Sequence, residues 1–269
     1  MGKSKRREIP KYDMGLIETH CHLDYLKDDE LKVILNKSLE HCIEKIVTIA
    51  VAPNNLQKVR ELTTVHDMIY GTQGIHPHEA KEITEETLQE IRQHINDDKI
   101  VAVGEIGLDY YYGKSPREVQ IEMFEKQLQI AVDNNKPVVI HTRDADDDTI
   151  AVLKNFSSTL KNKGVIHSFT SSLELSKFCL AEGFHLGFNG IITFKNAENV
   201  REVLRECPIE RILVETDAPF LTPVPYRGKE NAPFYLPFVA EKIAQEKNLD
   251  LQEVLKITKE NALNLFFKD

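Results

Sequence analysis

Histidines and carboxylates recur in this chain where short apolar runs stop. The first run ends in Glu18-Thr19-His20-Cys21-His22. On extended backbone, residues two apart point to one side, so His20 and His22 would face the same cation. Neutral imidazole is a common transition-metal ligand, although a packed or solvated pair leaves the same H-x-H signature. A later run leads into Gly74-Ile75-His76-Pro77-His78, where Pro77 keeps the backbone of His76 extended. Val101-Ala102-Val103-Gly104-Glu105 ends on a carboxylate whose burial is costly unless it is paired, hydrogen-bonded or bound to metal. Two more runs end at His141, followed by Thr142-Arg143, and at His167, while the last ends in Glu215-Thr216-Asp217. Each of these residues alone reads as readily as packing or surface. Together His20, His22, Glu105, His141, His167 and Asp217 are too many for one tetrahedral ion and suit two ions sharing Glu105.

The elements that must position these side chains alternate along the chain. Apolar, β-branched segments predict strands at 14–19, 45–50, 69–74, 100–105, 137–141, 164–169, 184–188 and 211–216. Helical spacing predicts helices near 29–44, 84–96, 116–134, 145–155, 173–182, 196–206, 233–247 and 251–267; none is read between Ala50 and Ile69. In the clearest helix, Gln120, Phe124, Gln127, Leu128 and Ala131 share a face, with Pro116 in the first turn. Strand–helix alternation on this scale predicts a parallel α/β architecture, and one closed (β/α)8 TIM barrel is its natural form. The competing doubly wound sheet lacks a G-x-G-x-x-G after the first strand. The ligand candidates then fall at the C-terminal ends of the strands, where barrels of this kind build their sites.

Composition narrows the function classes. The chain has 269 residues, 41% hydrophobic and 29% charged, with a formal net charge of −9. That is the profile of a globular protein, not a fibrous or disordered one. An acidic chain would need another source of positive charge, such as metal, to hold nucleic acid. No apolar run approaches the roughly 18 residues of a membrane span. The four cysteines form no C-x-x-C pair, which points to a reducing, cytoplasmic setting. Residues 1–13 read as a basic tail, in which Lys3, Lys5, Arg6 and Arg7 are either solvated or a phosphate-contacting arm, ahead of a single domain over 14–269.

At these residues the chain resembles the TatD family of metal-dependent deoxyribonucleases, from Ile17 to about Phe266. The resemblance lies in THCHLD (19–24), GIHPH (74–78), VGEIGLDYY (103–111), PVVIHTRDA (137–145), GVIHSFT (164–170) and LVETDAPFLTPVPYRGK (213–229). It implies a barrel hydrolase with one or two divalent ions, zinc, manganese, magnesium, nickel or iron. It further implies that His20, His22 and Asp217 hold one ion, His141 and His167 the other, with Glu105 between, and that His76 serves substrate and catalysis. The activity implied is metal-dependent DNA hydrolysis, including 3′→5′ exonuclease action on single strands or 3′ ends. Three departures stand out. Glu18 replaces the usual Asp, Ser171 stands where a glycine is common, and the Ala50–Asn55 stretch carries no ligand.

The expected mechanism is attack by a metal-activated hydroxide, with the cations also neutralising phosphate oxygens. Asp217 would orient or deprotonate the nucleophile, and His76 would contact phosphate or protonate the leaving oxygen. Arg143 would hold a phosphate, cap a helix or pair at the surface. Glu215 and Asp24 would accept the outer N–H of ligating imidazoles, unless Glu215 pairs with a cation. Tyr110, Tyr111 and Tyr112 offer base stacking, with rim packing the fate of at least one. Arg227 and Lys229 would follow a DNA backbone or face solvent. The expected enzyme is a monomer that needs no protein partner and no membrane. Two rivals remain. Related barrels cleave amides, lactones or aminoacyl esters such as D-aminoacyl-tRNA, many with a modified lysine on the fourth strand that this chain lacks. The other rival is a binding protein on a hydrolase scaffold.

Overall fold

The computed structural model describes residues 6–26 and 28–267. In chain order the elements are β1 (Leu16–Cys21), α1 (Asp28–Glu40), β2 (Ile43–Thr48), α2 (Leu56–Val65), β3 (Ile69–Gln73), α3 (Glu85–His94), β4 (Ile100–Asp109), α4 (Arg117–Asp133), β5 (Val138–Arg143), α5 (Asp146–Phe156), β6 (Gly164–Ile166), α6 (Leu173–Glu182), β7 (His185–Phe188), α7 (Glu198–Glu206), β8 (Ile212–Val214), α8 (Leu236–Lys247) and α9 (Leu251–Phe266). Among the described residues the strands form one sheet in the order β1 to β8, each parallel to the next. A helix stands between every strand and its successor, as the expected (β/α)8 barrel requires. No helix of the described residues is long and apolar enough to cross a membrane.

Alternation along the strands divides the core in two. Ile17, Val47, Val101, Val139, Val165 and Leu213 form a lumen cluster that Ala262 and Phe266 of α9 join. Leu16, Ile46, Ile100, Val138, Ile166 and Ile212, their neighbours in sequence, pack outward against the helices. The period of two carries the lumen face onward. His141, His167 and Glu215 each lie two residues beyond a lumen residue of their own strand.

β8 returns to β1 through a seam at the C-terminal end of the barrel. The Asp217 N–H donates to the His20 carbonyl at 2.9 Å and the His22 N–H to the Ala218 carbonyl at 2.8 Å. Thr19 Oγ1 donates to the Val214 carbonyl at 2.9 Å. The fully buried Glu18 carboxylate bridges the two sides, its Oε1 accepting from the N–H groups of His20 at 3.0 Å and Thr216 at 2.9 Å. The departure at position 18 thus serves barrel closure.

Two expectations are corrected. The stretch from Ala50 to Ile69 contains α2, whose Leu56, Val59, Leu62 and Thr63 are buried. That stripe follows Pro53-Asn54-Asn55, whose turn-forming character masks a short helix starting directly after it. β4 runs on to Asp109 because Leu108 and Asp109 pair with Thr142 and Arg143 of β5.

The shared face of α4 contains two buried glutamines with a positioning task. Gln127 Oε1 accepts from the Ile75 N–H at 2.7 Å and its Nε2 donates to the Ile75 carbonyl at 3.1 Å. Gln120 treats Asp109 in the same way, at 2.8 and 3.0 Å. Each amide acts as a stand-in strand neighbour for the backbone beside a site residue. Truncating Gln127 to Ala strands two buried backbone groups, at about 1–3 kcal/mol each. Urea unfolding of Gln127→Ala should show a loss of roughly 2–6 kcal/mol. Lys126→Ala, which breaks only the exposed Lys126–Glu122 pair, should change stability by less than about 1 kcal/mol.

Candidate metal centre

Glu105, 2% exposed, lies at the centre of the ligand cluster. Its Oε1 is 3.0 Å from His141 Nδ1, 2.9 Å from His167 Nε2 and 3.5 Å from His76 Nε2. Its Oε2 is 3.5 Å from His20 Nε2. Asp217 Oδ1 lies 3.6 Å from His20 Nε2 and 3.5 Å from His22 Nε2. Ligand atoms of His20, His22 and Asp217, of His20, Glu105 and His167, and of His76, Glu105 and His141 each fall within 4.8 Å of one another. All six expected ligands meet here, and His76 stands beside them.

The loops hold this cluster by backbone contacts. The end of β2, which brings no ligand, supplies two carbonyls: Ala50 accepts from the Glu105 N–H and Val51 from the His76 N–H, both at 2.9 Å. Asp217 has φ of 58°, a left-handed conformation that Asp tolerates better than most residues. Ser168, at φ 45°, takes the strained position of the loop after β6, whereas Ser171 is outside the left-handed region, so no glycine is needed there.

Carboxylates stand behind His141 and His167, at hydrogen-bond distance for His141 alone. Glu215 Oε1 lies 3.5 Å from His167 Nδ1 and accepts from the Ser168 N–H at 2.6 Å. Its carboxylate fits because Gly187 has no Cβ, which would come within 2.3 Å of Oε2. Asp24 instead accepts from Asn55 Nδ2 at 3.0 Å, and Asn55 in turn holds the N–H groups of Val51 and Ala52. The buried Asp109 was not among the expected site residues. Its Oδ2 is 3.1 Å from His141 Nε2 and 2.9 Å from His78 Nε2. Its signal was a second carboxylate two alternations beyond Glu105 on the same strand.

The peripheral candidates separate. Arg143 lines the cavity, its guanidinium 4.0 Å from the Tyr111 ring and 5.0 Å from that of Tyr112. Tyr110 is the packed tyrosine, its hydroxyl donating to Asp148. Arg227 stands 4.1 Å from the Phe194 ring, and neither it nor Lys229 lines the cavity. Lys3 and Lys5 lie outside the described residues. Arg7 pairs with Glu241 of α8, and Arg6 stacks over Tyr226.

The residues fit a metal. Both ring nitrogens of the buried His20, and Nδ1 of His22, have no hydrogen-bond partner. Unsatisfied buried polar atoms are unfavourable, and the rings of His20 and His167 stack at 3.7 Å, a contact that two imidazolium ions would oppose. Burial, then the nearby charge of His167, pushes His20 below the ordinary histidine range, and burial with His141 pushes His76 well below it. Neutral imidazole is the form that ligates. Burial alone would raise Glu105 and Asp217, but the surrounding imidazoles, led by His167 for Glu105 and His22 for Asp217, hold both below the usual carboxylate range. Burial pushes Glu18 up to about 8, against its two backbone hydrogen bonds.

His76 differs from its neighbours. Its Nδ1 accepts from the His78 N–H at 3.1 Å, which places the ring proton on Nε2, the nitrogen facing Glu105. His141 is held between two carboxylates, Asp109 at 3.1 Å from its outer nitrogen and Glu105 at 3.0 Å from its inner one, and against burial these carboxylates hold it above the ordinary histidine range. Asp109→Asn should therefore weaken metal binding by about 10- to 100-fold, measured by competition with a chromogenic chelator. An unchanged affinity would dissociate Asp109 from the centre.

Comparison with known proteins agrees with this architecture. A family model described as TatD related DNase matches residues 17–267. The uncharacterized metal-dependent hydrolase YabD of Bacillus subtilis is 40% identical over 252 residues, covering 93% of this chain and 98% of that protein. The human 3′-5′ RNA nuclease TATDN2 is 34% identical over 272 residues, 96% of this chain but 36% of that longer protein. The crystal structure of YJJV, a TatD homologue of Escherichia coli, superposes with a TM-score of 0.89 at 28% identity, covering 94% of this chain and 98% of that one. The chain belongs to the TatD-related DNase family of metal-dependent hydrolases.

Proposed function

We propose that this hydrolase cleaves phosphodiester bonds of single-stranded DNA, from the 3′ end. The observation that carries the reading is the Glu105 cluster, four imidazoles within 3.5 Å of one carboxylate, in a cavity of about 920 Å³. Divalent cations bound there would acidify an attacking water, neutralise phosphate oxygens and offset the chain's net charge of −9 at the site. His20, His22 and Asp217 form one donor set, and His141 and His167 the other, with Glu105 common to both. Asp217, 14% exposed at its side chain, opens to the cavity and can take a proton from the attacking water. His76 keeps its Nε2 proton and presents it to the leaving oxygen. Arg143 offers its guanidinium to a phosphate oxygen.

One observation favours a second reading. The human relative is named as an RNA nuclease, and both polymers share the phosphodiester that this centre would attack.

The test strips metal from the protein and restores Mn²⁺ or Mg²⁺ with 5′-labelled single-stranded DNA and RNA of one sequence. The expected product is a DNA ladder shortening from the 3′ end, dependent on metal. Preferential loss of the RNA would select the second reading. Glu105→Ala should lose bound metal and at least about 10²-fold in rate. His76→Ala should retain metal and lose about 10²- to 10⁴-fold; loss of metal instead would make His76 a ligand. If both polymers survive with metal bound, the substrate is another ester or amide, and aminoacyl-tRNA becomes the next candidate.

A further inference from the structure

Three exposed aromatic rings, Tyr25, Phe220 and Tyr112, line the cavity, and a fourth, Tyr111, packs against Tyr112, so that the rings form two pairs. Tyr25 and Phe220 are each 51% exposed, Tyr111 58% and Tyr112 54%. Tyr25 stands parallel to His22 with centroids 5.1 Å apart, and Phe220 meets Tyr25 edge-on at 6.0 Å. This pair follows β1 and β8, at the seam. Tyr111 and Tyr112 meet edge to face at 4.9 Å beyond β4, under Arg143 of β5. In a ring of eight strands in sequential order, β1 and β8 lie opposite β4 and β5. The two pairs therefore stand across the metal cluster from one another.

Charge is unevenly distributed between them. Among the described residues lining the cavity, the Lys and Arg side chains are Lys114 and Arg143, both on the β4–β5 side. Among the described residues lining it, the Tyr25–Phe220 side has aromatic surface and no such cation. A polynucleotide has the same asymmetry about its last linkage. The retained chain bears a phosphate at every nucleotide, whereas the 3′-terminal nucleoside has none beyond the scissile one.

Building on the nuclease reading, we infer that Tyr25 and Phe220 form a stacking site for the unpaired base of the 3′-terminal nucleotide. The next base lies on Tyr111 and Tyr112, and the retained chain's phosphates meet Arg143 and Lys114. Acidic side chains of the groove beyond Arg143, among them Asp146, Asp147 and Glu202, turn the polyanion away from that groove. Stacking tolerates any base but needs it unpaired, so the site selects single strands without reading sequence.

The test reads binding independently of cleavage. A 5′-fluorescein oligothymidylate whose last bridging oxygen is replaced by methylene is titrated with Mn²⁺-loaded protein and followed by anisotropy. Thymine is exchanged for 5,6-dihydrothymine, which keeps the hydrogen-bonding edge and loses the aromatic face, at the terminal or the penultimate position. For the unsubstituted protein, each exchange should raise Kd about tenfold. Phe220→Leu and Tyr25→Leu should abolish the terminal effect and keep the penultimate one, Tyr112→Leu should do the reverse, and Phe220→Trp should restore terminal sensitivity. Metal content of each variant, measured alongside, separates lost stacking from damage to the neighbouring His22. Indifference to both exchanges, terminal sensitivity that survives both leucine variants, or no binding at all would overturn the stacking site. Base-sensitive binding without cleavage of ordinary linkages leaves the stacking site standing and removes the nuclease reading. Cleavage with base-indifferent binding does the opposite.

Discussion

A carboxylate buried inside a barrel is untenable without cations or hydrogen-bond donors around it, and Glu105 is met by imidazoles from four directions. β1 brings His20, the loop after β3 His76, β5 His141 and the segment after β6 His167. Each strand that contributes must end at a compatible height, so this one charge constrains the register of the sheet. The same requirement explains why the ring nitrogens of His20 lack hydrogen-bond partners. The cluster contains more ligand atoms than protein contacts can satisfy, which is the state of a site built for cations.

Much of the remaining buried polarity holds the cluster in place. The carbonyls of Ala50 and Val51 fix the backbone of Glu105 and His76. The amides of Gln120 and Gln127 do the same for Asp109 and Ile75. Asp24, expected behind a histidine, instead steadies Asn55 and through it the loop that carries those carbonyls. These contacts give a catalytic constellation its narrow geometric tolerance, because they act on backbone and not on mobile side-chain tips.

The site was largely legible in the sequence because its ligands follow strand periodicity. An apolar run, then a histidine or carboxylate in phase with it, needs no tertiary information to be noticed. Six such ends with ordered motifs also conveyed the family. What stayed hidden depends on contacts between distant segments. Gln120 and Gln127 were visible as members of a helix face, yet their task appears only when Ile75 and Asp109 arrive opposite them. Asp109 lies beyond the strand predicted at 100–105, since nothing local says that β4 continues alongside β5. α2 was obscured by the asparagines before it. The proton position on His76 depends on the N–H of His78 two residues on, a turn geometry that the motif GIHPH does not disclose.

The seam has a consequence for the order of biosynthesis. Thr19 and Val214 join across a separation of 195 residues, and the ligand histidines beside Thr19 meet Asp217 by the same closure. A ribosome releases His20 and His22 long before it makes their partner. A nascent chain, or one cut short before β8, therefore holds an incomplete donor set with no wall behind it. Full assembly of the donor set thus coincides with completion of the barrel.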